Sequence, residues 1–135
     1  MMISTKGRYA LRVMLDLASQ PKEEYISLKA ISDRQEVSMK YLEAIVANLS
    51  KAGMLESLRG KSGGYRLNKP AAAYTVGDVL RTAEGDLNTV NCLEESKGGC
   101  NRAGECLTLP LWQTLDQIVG EYLDSVTLKD LLTQE

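Results

Sequence analysis

Apolar residues recur at helical spacing in several parts of this chain, and polar stretches separate them. Over residues 5–19 alanines, leucines and a methionine follow one another three or four positions apart, which is typical of one face of an α-helix. Ser4 or Thr5 can cap this helix, and Pro21 lies just beyond its end. The pattern therefore predicts a first helix over about 5–19.

Two further helices follow after a polar stretch. Ser27 can cap a short helix over 28–34, and Ser38 can cap a second one that extends to about Lys51. Gly53 is placed to be the left-handed residue after this second helix. Two capped helices with a three-residue connection are typical of a helix-turn-helix, although Glu36 and Val37 stand where a turn glycine is usual.

A short hairpin is predicted next. Leu55 to Leu58 and Tyr65 to Leu67 resemble strands, and the connection 59–64 is glycine-rich and basic. A helix, a helix-turn-helix and a basic hairpin, in that order, predict a winged-helix DNA-binding domain. The expected fold class is mainly α with a small β-hairpin wing, together with a long dimerisation helix.

The C-terminal half divides into three parts. Thr75 and Asp78 form a predicted capping box for a helix to about Ala83, and Thr127 with Asp130 forms another for a terminal helical turn. Between them, a broad apolar stripe begins after Pro110, and a single small domain cannot easily cover it, so we expect it to pair two copies of the chain. Its residues are Leu111, Trp112, Leu115, Ile118, Val119, Tyr122 and Leu123. The expected organisation is a DNA-binding domain over 1–84, a cysteine-bearing sensor loop over 85–108, and a dimerisation helix with a C-terminal turn over 109–135.

Charge separates the two halves of the chain. Residues 1–69 contain 12 basic and 7 acidic side chains, whereas residues 70–135 contain 4 basic and 11 acidic ones. A basic half suits a polyanionic partner. The chain has no histidine, which excludes Ser-His-Asp and Cys-His catalysis, and no apolar run long enough to span a bilayer. No secretion signal is recognisable, so we expect a cytoplasmic protein that is not an enzyme.

The predicted DNA contacts come from three places. The second helix of the helix-turn-helix is expected to turn the side chains of its first turns outward. Among them, Glu43 can accept a hydrogen bond from cytosine. Lys40 and Tyr41 can reach phosphates. Arg59 on the hairpin suits a narrow minor groove of DNA. The start of the first helix, near the positive end of the helix dipole, is expected to add contacts to the DNA backbone. The full set is Lys6, Arg8, Tyr9, Ser38, Met39, Lys40, Tyr41, Glu43, Arg59, Lys61 and Ser62.

Cys92, Cys100 and Cys106 all fall in the predicted sensor loop. An odd number of cysteines without a C-x-x-C pair argues against a disulfide framework and a thioredoxin-type site. Structural zinc usually requires four ligands, and only three are present. Thiolates in a glycine-rich loop can hold an iron–sulfur cluster, or they can be buried or free thiols. The spacing alone leaves both interpretations open.

Several motifs together resemble the IscR-type regulators of the Rrf-two superfamily, which are bacterial winged-helix transcription factors. The motifs are Thr5-Lys6-Gly7-Arg8-Tyr9-Ala10, Tyr41-Leu42-Glu43, Arg59-Gly60 with Gly63-Gly64-Tyr65, and Cys106-Leu107-Thr108 followed by Leu111-Trp112. The resemblance implies a homodimer on a palindromic double-stranded operator. It also implies a cluster, [2Fe–2S] by resemblance, held by the three cysteines, whose state controls DNA affinity in response to iron–sulfur supply, nitric oxide, redox state or cysteine.

The sequence departs from this family at the fourth cluster ligand. Leu109 stands where IscR-type relatives have a histidine, and Arg8 stands where other relatives have a carboxylate. The first cysteine spacing is also two residues longer than in the IscR type. The fourth ligand is therefore unassigned, with Glu94, Glu95 and Glu105 as local candidates.

The sequence predicts a dimeric transcriptional regulator, a repressor in our interpretation, that senses iron–sulfur, redox or nitric oxide status. The alternative is a clusterless regulator of the same superfamily that responds to thiol state or to a partner protein. A zinc-stabilised interaction module and a thiol-dependent redox enzyme have less support, because the fourth zinc ligand, a C-x-x-C pair and a cofactor-binding glycine motif are all missing.

Overall fold

The computed structural model describes residues 3–89 and 105–133. The described elements are α1 (Thr5–Ala18), α2 (Leu28–Gln35), α3 (Met39–Lys51), β1 (Leu55–Leu58), β2 (Gly64–Leu67), a single 3-10 turn (Ala71–Ala73), α4 (Val76–Glu84), α5 (Leu109–Ser125) and α6 (Leu128–Leu132). The predicted fold class, mainly helical with a β-hairpin wing, is confirmed, and the helix bounds differ from the predicted ones by one or two residues.

The helix-turn-helix forms because two serines cap its helices. The Ser27 hydroxyl accepts a hydrogen bond from the amide of Ala30 (3.1 Å), and the Ser38 hydroxyl accepts one from the amide of Tyr41 (3.2 Å). Glu36 adopts the left-handed conformation that a turn glycine would usually supply, with φ 55° and ψ 45°. The turn is therefore built without glycine.

The wing is a two-stranded antiparallel hairpin that is anchored at its base. Leu55 pairs with Leu67, and Leu58 pairs with Gly64 at the tip end. Ile26, in the connection between α1 and α2, extends the pairing by exchanging two 2.8 Å backbone hydrogen bonds with Tyr65. This third strand segment ties the wing to the helical part of the domain.

One hydrophobic core joins α1, the helix-turn-helix, the wing and α4. Met14, Ile31 and Leu42 are each 0% exposed. Tyr41, like Met39 at the start of α3, lies on the surface, with 37% of its area exposed. A fully buried aromatic residue, Tyr74, links the wing to the helices: its hydroxyl donates to the carbonyl of Met54 (2.9 Å).

The chain after α5 returns to this core. The amide of Val76 donates to the carbonyl of Val126 (2.8 Å), the amide of Leu128 donates to the carbonyl of Tyr74 (3.0 Å), and the side chain of Leu128 is 0% exposed. Both predicted capping boxes, at Thr75 and at Thr127, are present. We call residues 3–84 together with 126–132 the head, because α6 shares the core of the preceding elements.

Helix α5 connects to the head through α4. The Arg81 guanidinium donates two hydrogen bonds to the Asp124 carboxylate, at 2.6 and 3.0 Å. These bonds hold the pKa of Asp124 below its usual range, although burial acts in the opposite direction. None of the 17 residues of α5 is buried. Among the helices of residues 3–89 and 105–133, none combines the length and apolar character that a bilayer crossing requires.

Candidate nucleic-acid interface

The first turns of α3 present polar and long side chains to solvent while the opposite side of the helix is buried. Ser38, Met39, Lys40 and Glu43 are exposed, and the inward set consists of Leu42, Ile45, Val46 and Leu49. A recognition helix needs this division, because its outer face must reach base edges while its inner face is fixed on the domain. The contact of Ser38, Met39, Lys40 and Glu43 with DNA stays a prediction.

An open cleft separates the start of α1 from the start of α3. Its volume is about 390 Å³, and Thr5, Tyr9, Ser38 and Tyr41 are among its lining residues. The rings of Tyr9 and Tyr41 meet edge to face, with their centroids 5.6 Å apart. Four hydroxyl-bearing side chains thus line one concave site together with Glu36 and Val37 of the helix-turn-helix turn.

A polar network behind the cleft fixes Tyr9. The Arg12 guanidinium lies 5.0 Å from the centre of the Tyr9 ring and donates to both the side-chain and the backbone oxygen of Gln35. Gln35 in turn donates to Asp16 (2.9 Å). The network therefore connects α1 to the end of α2, directly before the helix-turn-helix turn.

Asp16 is a buried carboxylate at the centre of this network. Arg34 donates to its two oxygens at 2.9 and 2.7 Å. Burial raises the pKa of Asp16, but the hydrogen bonds from Arg34 and Gln35 and the charge of Arg34 together outweigh it, so the pKa lies below its ordinary value. Asp16 consequently stays ionised and holds α2 in place against α1.

The start of α1 differs from the arrangement that its sequence suggests. Lys6 and Arg8 are exposed, as a contact with DNA requires. The positive end of the helix, however, is already occupied by the carboxylate of Glu84, which accepts hydrogen bonds from the amides of Ser4 (3.0 Å) and Gly7 (3.1 Å). The exposed side chains of Lys6 and Arg8, rather than a free helix end, are therefore what this turn presents to solvent. Nothing in the local sequence around α1 points to Glu84, which is 80 positions away from Ser4.

The wing tip carries the remaining predicted contacts. Arg59, Lys61 and Ser62 are all exposed between the two strands, and the amide of Gly63 donates to the carbonyl of Gly60 to close the turn (3.1 Å). These residues lie on a separate element from the cleft that Tyr9, Ser38 and Tyr41 share.

Of the three cysteines, the structure describes Cys106. It is partly buried, and its sulfur lies 3.2 Å from the hydroxyl oxygen of Thr108, directly before α5. Cys92 and Cys100, and the ligand candidates Glu94 and Glu95, lie outside the described residues; Glu105 is described and exposed. Within the described part of the chain, no three His, Cys, Asp or Glu side chains come together in a group that could hold a metal.

The predicted dimerisation residues form two ridges on α5. Large apolar side chains are exposed on one ridge: Leu111 is 57% exposed, Leu115 38%, Ile118 58% and Tyr122 66%. Trp112, Val119 and Leu123 on the other ridge are half-buried. We call the first ridge, Leu111, Leu115, Ile118 and Tyr122, the α5 face.

Comparison with known proteins decides the family. The Rrf2 family, described as iron-dependent transcriptional regulators, matches residues 3–134. The chain belongs to the Rrf2 family. The resemblance found in the sequence motifs is thereby confirmed, and the protein is a transcriptional regulator of this family rather than an enzyme.

Individual relatives agree with the Rrf2 assignment. An HTH-type transcriptional regulator of Neisseria meningitidis serogroup A is 42% identical over all of this chain and 90% of its own length. CymR, the global cysteine regulator of B. subtilis, has a structure with a TM-score of 0.78 and 40% identity, covering 97% of this chain and 95% of that one. The structure of IscR from T. potens gives a TM-score of 0.73 and 37% identity, with 98% and 86% covered. DNA binding follows from membership of this family of regulators.

Proposed function

We propose that this Rrf2 regulator acts as a homodimer in which the α5 faces of two copies pack together. The observation that supports this most directly is the burial of α5: it is a 17-residue helix without a buried residue, and four large apolar side chains are exposed on one ridge. An exposed apolar ridge of this kind marks an interface. A two-fold contact between identical surfaces is the commonest way to cover it.

A two-fold dimer places two copies of the DNA-binding surface side by side. In the proposed complex, Ser38, Met39, Lys40 and Glu43 of each copy enter the major groove. Arg59 of each wing enters a minor groove, with Lys61 and Ser62 beside it. Lys6, Arg8, Tyr9 and Tyr41 contact phosphates, which fixes the position of the dimer on the duplex. The operator is then palindromic, and the protein acts in the cytoplasm, where it represses transcription.

The experiment that tests DNA binding uses a duplex that the wild-type protein selects from a random-sequence pool. Affinity should fall steeply as salt rises, because binding displaces counterions from the phosphates. Arg59→Ala and Lys61→Ala should each weaken binding and lower the salt slope by about 1. Lys129→Ala removes an exposed cation from α6 instead and should leave binding unchanged. Affinity that is independent of salt, or equal losses for all three variants, would contradict the proposed surface.

The proposed signal is an iron–sulfur cluster held by Cys92, Cys100 and Cys106. The described cysteine fits this group, since its thiol is partly accessible and lies directly before the start of a helix, where negative charge is favoured. The match to iron-dependent regulators and the similarity to an IscR structure support the same assignment. Such a cluster supplies a centre that responds to oxidants and to iron supply. It controls transcription if it favours one arrangement of the two heads over another.

A second candidate is a clusterless regulator that responds to thiol oxidation or to a partner protein. The similarity to the global cysteine regulator CymR, at 40% identity, favours it specifically. In this case the same cysteines act directly as thiols, and their oxidation changes the separation of the two heads.

One experiment separates the two signals. The protein is purified without oxygen, iron and sulfide are counted, and the visible absorption spectrum is recorded for the wild type and for Cys92→Ala. Iron and inorganic sulfide in equal amounts, lost together in Cys92→Ala, support the cluster. A metal-free protein whose DNA affinity changes on mild oxidation and returns on reduction supports the thiol sensor. Zinc without iron, or DNA affinity that no treatment changes, would contradict both.

A further inference from the structure

The carboxylate of Glu84 joins the last residue of α4 to the first turn of α1. A single oxygen of Glu84 accepts hydrogen bonds from the backbone amide of Ser4 (3.0 Å), from the Ser4 hydroxyl (2.5 Å) and from the amide of Gly7 (3.1 Å). The first turn of a helix has amide groups without partners inside the helix. Glu84 accepts from the amide of the capping residue Ser4 and from one amide of α1, that of Gly7, which also donates to the Ser4 hydroxyl (3.4 Å).

Gly7 has no side chain, and this leaves space for the Glu84 carboxylate. A Cβ atom on Gly7 would overlap the Glu84 oxygen, so any other residue at this position would displace it. Gly7 is also buried, which places the carboxylate against the helix rather than in open solvent. Glycine at position 7 thus leaves room for the carboxylate in its present position.

The charges around the first turn of α1 favour a negatively charged partner beside the Ser4 cap. The turn contains no acidic residue, although acidic residues are favoured at the positive end of a helix. It carries two exposed cations instead, Lys6 and Arg8, which this end of a helix disfavours. The Glu84 carboxylate supplies the missing negative charge from α4. It thus offsets the cost of keeping two cations where they can meet a polyanion.

We infer that Glu84 is a positioning residue for DNA binding: by fixing the first turn of α1, it holds Lys6 and Arg8 where they contact phosphates. This inference rests on the proposed DNA-binding surface and assigns a role to a residue outside it. Because Glu84 ends α4, it is also the last residue before the predicted sensor loop, residues 85–108. The helix that contacts DNA and the segment that carries the cysteines therefore meet at this carboxylate.

The test measures affinity for the duplex selected by the wild type, as a function of salt. Glu84→Ala removes the hydrogen bonds and the charge, and we expect binding to weaken about 5- to 10-fold, with a salt slope lower by about 1 to 2. Glu84→Gln keeps an oxygen that can accept the same hydrogen bonds, so it should recover most of the affinity. Glu24→Ala removes an exposed carboxylate from the loop after α1 and should leave both quantities unchanged.

A double-mutant cycle distinguishes positioning from general stabilisation. Lys6→Ala should weaken binding in the wild type but cost little more in Glu84→Ala, because the contact is already lost. If Glu84 only stabilised the fold, the two losses would add and the salt slope would not change. Additive losses, or tighter binding by Glu84→Ala, would overturn the inference.

Two outcomes remain distinct. A wild-type chain that binds no DNA would overturn the proposed function and the inference with it. Wild-type binding together with an unaffected Glu84→Ala would overturn the inference alone. If thermal unfolding shows that Glu84→Ala is not folded, the cycle is repeated with Glu84→Gln and Glu84→Asp, which keep a polar group at the helix end.

Discussion

The head and α5 differ in how far they bury their apolar side chains. In the head, Met14, Ile31, Leu42 and Leu128 are each 0% exposed, and they come from four different helices. In α5, an apolar stripe of similar chemistry remains on the surface, with Ile118 at 58% exposure. The head therefore completes its core within one chain. Helix α5 has apolar side chains like those of a core, but the described part of the same chain does not cover them.

The residues that stabilise the chain and the residues that are available to partners lie in different places. The exposed side chains of the head are mostly polar or charged, which suits a hydrated partner; its exposed large apolar residues are Met39, Tyr41, Leu58 and Leu132. The α5 face presents exposed residues that suit a dry contact. One chain thus carries two surfaces of different chemistry, connected by α4 and by the ion pair between Arg81 and Asp124.

The largest effect should come from a charge placed on the α5 face. Ile118→Glu puts two carboxylates into a two-fold contact and should weaken self-association on the order of 1,000-fold, because buried unpaired charge is costly. Gln117→Glu adds the same charge at an exposed polar position next to it and serves as the matched control. Sedimentation equilibrium measures the association. A dimer that survives Ile118→Glu as well as it survives Gln117→Glu would show that another surface holds the copies together.

A core truncation in the head should come next. Leu42→Ala leaves a cavity under α3 and should lower the free energy of unfolding by about 3 kcal/mol. Leu111→Ala makes the same change on the α5 face and should cost well under 1 kcal/mol in a chain kept monomeric by Ile118→Glu. Urea unfolding gives both costs: that of Leu42→Ala relative to the wild type, and that of Leu111→Ala with Ile118→Glu relative to Ile118→Glu alone. Equal costs at the two positions would remove the contrast between the head and α5.

A smaller loss is expected at the buried carboxylate of the head. Asp16→Asn should cost about 2 kcal/mol at neutral pH, less than a fully buried pair, because Arg34 remains 41% exposed. The pKa of Asp16 is lower in the folded chain than its ordinary value of 3.8. Its ionised form therefore stabilises the fold above that value, and this stabilisation is lost as the pH falls through the lower folded pKa. Unfolding measured from neutral to acidic pH should show the wild type and Asp16→Asn converging in acid; parallel curves would contradict the assignment.

The smallest effect is expected where the two regions join. Asp124→Asn removes the charge of the exposed ion pair with Arg81 and should cost about 0.5 kcal/mol. It should leave Leu42→Ala and Ile118→Glu effects unchanged, since the two regions are stabilised separately. Urea unfolding of the double variants tests this additivity. A coupling as large as the core truncation itself would mean that α5 and the head unfold as one unit.

Local chemistry explains which parts of the fold were predictable. Ser27, Ser38, Thr75 and Thr127 each cap a helix within three residues of themselves, so the sequence alone locates those helix starts. Gly53 was likewise predictable as the left-handed residue after α3, and it has φ 80°. The turn at Glu36 carried no such signal, because a non-glycine residue adopts the left-handed conformation there.

Contacts between distant residues could not be predicted from periodicity. Glu84 meets Ser4 across 80 positions, and Leu128 enters the core of the head after the chain has passed through α5. Tyr74 was also not predicted, since its buried hydroxyl finds its partners in the wing rather than nearby in a helix. For the candidate site, the sequence indicated which side chains are exposed, while the cleft shared by Tyr9, Ser38 and Tyr41 depends on how α1 crosses α3.

The number of protein chains bound to each operator duplex is the sharpest test of pairing through α5. The wild-type protein is mixed with the duplex it selects, and sedimentation gives the mass of the complex. We predict two chains per duplex and a selected sequence with two-fold symmetry, both lost in Ile118→Glu but not in Gln117→Glu. A complex of one chain on an asymmetric sequence, with affinity unchanged by Ile118→Glu, would contradict a regulator that reads DNA with two heads joined through α5.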